Sequence, residues 1–100
     1  MPWYHASRGS HLDFDGIKAN MPGNVTAHPT PYVYLGSLDY IYKQYFRYAP
    51  VGTYYVYEVN IIGLLVDSVT LRGEQIRIIG NIPHRHVKFL ESFCKLRGVK

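Results

Sequence analysis

The stretch Thr53-Tyr54-Tyr55-Val56-Tyr57-Glu58-Val59-Asn60 constrains this chain more than any other. Its β-branched and aromatic residues favour extended, buried backbone, and no Gly or Pro interrupts it. It reads as the central strand of a sheet. Three further stretches, Pro2–Ser7, Tyr32–Leu35 and Glu74–Gly80, have the same character and are expected to join it. Each brings polar side chains into apolar surroundings, and function is sought there.

Between the first two of these strands, residues 8–31 contain Gly9, Gly16, Gly23, Pro22, Pro29 and Pro31. Such breakers predict a long loop with at most one helical turn, around Phe14–Asn20. A loop of this length in a small domain is usually functional. After Leu35, the residues Leu38, Ile41, Tyr42, Tyr45 and Phe46 recur at helical spacing behind Ser37, a good N-cap. The spacing predicts a helix over Ser37–Arg47, closed by Pro50 and Gly52. Leu64–Val66 follows Gly63 as a short strand, and Leu71-Arg72-Gly73 turns the chain into the Glu74 strand. A last helix is expected from Pro83 or His84 to Leu96, with Gly98 just beyond its end. Strands outnumber helices and connections are short. The chain therefore reads as one α+β domain over residues 1–100, with a small mixed or antiparallel sheet and two helices. The first strand starts so early that no regulatory domain is expected ahead of it.

One hundred residues suffice for a single core. Ten tyrosines and a net charge of +4 suit packing and stacking equally, with only a mild preference for anionic partners. The single cysteine, Cys94, excludes an internal disulfide or a multi-cysteine metal site and suits a reducing cytosol. No apolar run reaches the roughly 20 residues of a membrane span. A soluble, cytoplasmic protein without membrane contact is expected.

Most chemical motifs are missing: no phosphate-binding loop, dinucleotide fingerprint, His-Glu-x-x-His or nucleophile elbow occurs. His84 and His86 are two residues apart and would not face each other on a helix, which argues against a metal there. What remains is Tyr4-His5-Ala6-Ser7, Tyr32-Val33-Tyr34-Leu35-Gly36-Ser37, Tyr57-Glu58-Val59 and Gly73-Glu74-Gln75-Ile76. In these segments the chain resembles the ADP-ribosyltransferase superfamily, in the branch marked by His, Tyr and an acidic residue in chain order. That branch includes the poly-ADP-ribose polymerases and the rifampicin ADP-ribosyltransferases. The match spans most of the chain, and order and spacing carry it more than any single motif. Ala6 stands where the family has glycine, and Arg72-Gly73 lacks the second Glu or Gln of arginine-specific members.

The resemblance implies a minimal split-sheet transferase with NAD as substrate and no metal. It assigns His5, Tyr34 and Glu74 to catalysis. It assigns Ala6, Arg8, Ser37, Tyr45 and Asp67 to binding the dinucleotide, with Asp67 as the alternative acidic residue. Breaking the nicotinamide–ribose bond develops oxocarbenium character, which calls for rigid positioning and nearby negative charge. On this reading His5 holds a ribose hydroxyl and the Ala6 backbone holds the carboxamide. Tyr34 stacks on the nicotinamide, Ser37 binds its amide and Arg8 reaches the pyrophosphate. Glu74 takes the second ribose hydroxyl and steadies the cation. The acceptor is expected to be a protein first, then a nucleic acid or small molecule. The small size fits a phage or mobile-element effector acting in a host cytoplasm.

Each residue also has a structural reading. His5 is then a core histidine, Tyr34 a packing tyrosine, Glu74 a solvated turn residue, and Glu58 an inward carboxylate paired with Arg77. The competing function is a non-catalytic, basic, Tyr-rich module that binds single-stranded nucleic acid or protein, with Lys43, Arg47, Arg85 and Lys88 among its phosphate contacts.

Overall fold

In the structure, a computed structural model that describes residues 2–19, 31–70 and 72–96, the Tyr-rich stretch forms the strand Gly52–Val59. In chain order the elements are β1 (Trp3–Ser7), α1 (Leu12–Asp15), β2 (Tyr32–Gly36), α2 (Leu38–Tyr48), β3 (Gly52–Val59), β4 (Val66–Val69), β5 (Gln75–Ile79), a 3-10 turn (His84–His86) and β6 (Val87–Lys95). The strands make one six-stranded sheet in the order β4-β5-β2-β1-β3-β6. Every neighbouring pair is antiparallel. The molecule is thus a small α+β domain of the expected class, with no parallel pairing.

Alternation along the strands separates two cores. Trp3, Val33, Leu35, Tyr57, Val59, Ile76 and Ile78 point to one face and pack with Ile17, Ile82 and Val87. Ala6 and Val56 point to the other face, where Ile41 of α2 covers them with Tyr4, Leu38, Tyr42, Tyr45 and Phe93 around it. Tyr54, Val56 and Tyr57 of β3 are all fully buried, so this strand feeds both cores. Each such side chain contributes on the order of 1.5–3 kcal/mol relative to exposure.

Helix α2 begins as its sequence dictates: the Ser37 side chain accepts the Tyr40 N–H at 3.2 Å, and Asp39 sits in the first turn. Gly36 lets it lie close, since a Cβ there would meet Tyr40 Cδ2 at 3.0 Å and Ile41 Cγ1 at 3.2 Å.

Three expectations are corrected. The C-terminal helix does not form: Val87–Lys95 is strand β6, paired with β3 along its length. Leu90, Phe93 and Leu96 have helical spacing, but the register shifts between Val56 and Tyr57, so Leu90 is an extra residue between Phe89 and Glu91. A bulge of this kind breaks the period of two and imitates a helical pattern. Pairing also satisfies the outer edge of β3, which a helix would leave open. The helical turn expected near Phe14–Asn20 lies earlier, at Leu12–Asp15, and the short strand near Leu64 lies later, at β4. Part of that first turn, Asn20 itself, and the rest of the long loop to Thr30 fall outside the described residues.

Candidate functional site

Strands β1 and β3 share five registered pairs, but β1 and β2 share one, Tyr4 with Gly36. Beyond that pair, toward Ser7 and Tyr32, the two strands part. His5 lies at this parting. Its Nδ1 lies 3.1 Å from the Tyr34 carbonyl, and because a carbonyl only accepts, Nδ1 carries the proton. Nε2 is left as an acceptor with no protein donor among the described residues. Burial lowers the pKa of His5, and the bond to Tyr34 only partly offsets this, so the ring is neutral at pH 7.

Glu74 precedes β5, across β2 from β1 and level with Ser37, on the closed side of the Tyr4–Gly36 pair. Gly36 is registered with Tyr4 on one side and with Gln75 on the other. The Glu74 carbonyl accepts the Ser37 N–H at 2.8 Å and its own N–H donates to Thr70 Oγ1 at 3.1 Å, so its backbone is held at both ends. Its half-buried carboxylate has no hydrogen-bond or ion-pair partner among the described residues. Strand spacing and rise place the Cα atoms of His5, Tyr34 and Glu74 within about 12 Å of one another.

The side chains do not all leave the same face. His5 alternates with Tyr4 and Ala6 and so shares the face of Trp3, whereas Tyr34 alternates with buried Val33 and Leu35 and lies on the α2 face. Alternation carried back from Gln75 sends Glu74 to the His5 side. The parting therefore has His5 on one face and Tyr34 on the other, with the Tyr45 hydroxyl reaching Ala6 from α2, while Glu74 lies on the His5 face but level with Ser37, on the closed side of the Tyr4–Gly36 pair.

The remaining candidates are engaged by the protein itself. Tyr45 donates its hydroxyl to the Ala6 carbonyl at 2.6 Å, occupying the group expected to hold a carboxamide. Ser37 caps α2. Arg8 folds back on the corner before β3, donating to the Val51 carbonyl at 3.2 Å and lying 5.5 Å from the Tyr54 ring centroid. Asp67, on β4, is ion-paired with Arg77 and does not reach His5. Glu58 does not meet Arg77, since β2 and β1 stand between their strands.

One feature was not anticipated. Tyr32 and Tyr34, both on the α2 face of β2, meet edge to face with centroids 6.3 Å apart. The Arg77 guanidinium lies 4.4 Å over the Tyr32 ring. The signal was present in the sequence: tyrosines two apart on a strand share a face. Burial pulls the Arg77 pKa down, but Asp67 and the Tyr34 phenol hold it above its ordinary value.

No three His, Cys, Asp or Glu side chains among the described residues are grouped to hold a metal. No helix among them is long and apolar enough to cross a membrane. Comparison with known proteins gives no matching family model, no matching curated protein and no matching solved structure.

Proposed function

We propose that the chain is an NAD-dependent mono-ADP-ribosyltransferase. The observation that supports this best is the parting of β1 and β2, with the neutral His5 imidazole on one face and Tyr34 on the other, and Glu74, unpartnered among the described residues, across β2 on the His5 face. Nicotinamide takes the tyrosine side, with the Tyr34 ring against its face. Its carboxamide N–H replaces the Tyr45 hydroxyl on the Ala6 carbonyl. The ribose lies on the His5 side, where Nε2 accepts from one hydroxyl and Glu74 from another.

The reaction then balances without a metal. The N1–C1′ bond breaks with its electron pair going to nicotinamide, which leaves neutral. The acceptor atom bonds to C1′ and loses its proton, with Glu74 as the nearest base. Negative charge fixed beside the developing cation is the main source of rate. The free, exposed thiol of Cys94 fits a reducing cytosol, including that of a host cell entered by a phage-borne effector.

The test is incubation of the protein with isotopically labelled NAD and a cell lysate, read by mass spectrometry. Labelled ADP-ribose on an acceptor, absent with Glu74→Gln, is the expected result. No labelled product with the wild-type chain would refute the reading.

A further inference from the structure

We propose that the pair Tyr32–Arg77, beside Tyr34 on the open sheet face, is a stacking platform for an unpaired base of a single-stranded nucleic acid. The identification of that strand as the transfer acceptor rests on the transferase reading; its binding does not.

Three observations converge. First, α2 packs on β1, β3 and the Gly36 end of β2, which leaves uncovered the Tyr32–Tyr34 end of β2 and the neighbouring part of β5, where Tyr34 is 36% exposed, the Arg77 side chain 37% and Ile79 lies beside them. Second, the groups are arranged for stacking. The guanidinium is held over one ring by Asp67 and by Ser68 Oγ, which accepts from Arg77 Nε at 3.0 Å, so its position is set before any ligand arrives. Planar cations and aromatic rings on a strand pair are what splayed bases stack upon. Third, the chain carries a net charge of +4, which favours an anionic partner over a neutral one, and among anionic polymers a single-stranded nucleic acid also supplies flat faces to stack. A duplex keeps its bases stacked inside and offers no face to this surface. If transfer occurs, the acceptor atom of the strand forms the bond to C1′ and releases one proton as nicotinamide departs.

The experiment measures fluorescence anisotropy of a labelled single strand of about 12 nucleotides, as DNA and as RNA, with the full chain and no NAD. Binding that weakens with salt and exceeds that of the same sequence as a duplex is expected. Tyr32→Ala and Arg77→Gln should each lower affinity about 5- to 150-fold, while Tyr32→Phe keeps it. Circular dichroism confirms that each variant folds, and Tyr32→Leu, which also removes the ring, serves if Tyr32→Ala does not. Absence of single-strand binding at low salt, equal binding of the duplex, or affinity unchanged in Arg77→Gln would overturn the platform. Nicotinamide release from NAD is measured in parallel: its absence, with platform binding intact, counts against the transferase and not against the platform.

Discussion

Replacing Gly36 by alanine probes the contact that sets α2 against the site. Gly36 has no positive φ, so the cost arises from space alone. The added methyl would meet Tyr40 Cδ2 at 3.0 Å, Ile41 Cγ1 at 3.2 Å and the Glu74 carbonyl at 3.4 Å. Two of these belong to the first turns of α2, and the third anchors Glu74 to Ser37. Overpacking of this kind costs about 1–3 kcal/mol. For a domain of this size that corresponds to a loss of roughly 4–20 °C in Tm. Urea unfolding should show a lower midpoint at unchanged slope, because the surface exposed on unfolding is the same. Ile41→Ala, which removes Cγ1, should cost about 2–5 kcal/mol alone, and combined with Gly36→Ala the total should fall short of the sum. Gly36→Ala at wild-type stability, or strict additivity of the two substitutions, would refute the close approach.

Other consequences are simpler to measure. The folded-state pKa of His5 lies below the unfolded value of 6.5, so the unfolded chain binds more protons between the two. Stability should therefore be constant above about pH 7 and fall as pH drops through 6.5 toward the folded pKa, a slope that His5→Gln should remove in pH-dependent unfolding. Tyr57→Phe deletes a buried hydroxyl that donates to the Gly9 carbonyl at 2.5 Å, and should cost about 1–2 kcal/mol by urea titration. Asp67→Asn, at an exposed ion pair, should change stability by less than about 1 kcal/mol.

Much of the fold could be read from local chemistry. The β-branched and aromatic run defined β3 almost to the residue, and Ser37 with its apolar periodicity defined α2. The C-terminal strand was not readable, because a bulge at Leu90 gave it helical spacing and the edge of β3 that demands a partner is a property of the sheet. The site shows the same division. His5, Tyr34 and Glu74 were proposed from residue type and order, and the strand order puts β2 between β1 and β5. Which face each side chain occupies depends on register, and that the Tyr45 hydroxyl already holds Ala6 depends on how α2 docks. Arg77 illustrates the limit well. Its sequence neighbours are isoleucines, and its partners, Asp67, Ser68 and Tyr32, lie on other strands.

The most direct measurement of the proposed chemistry is the rate of nicotinamide release from NAD by the wild-type chain, by Glu74→Gln and by His5→Ala. The proposal that the imidazole and the carboxylate act on one ribose predicts measurable release by the wild type. It predicts a loss of about 10²–10³-fold in Glu74→Gln at unchanged Tm, with a comparable failure in His5→Ala. Release that is undiminished in both variants, or no release from the folded wild-type chain, would contradict it.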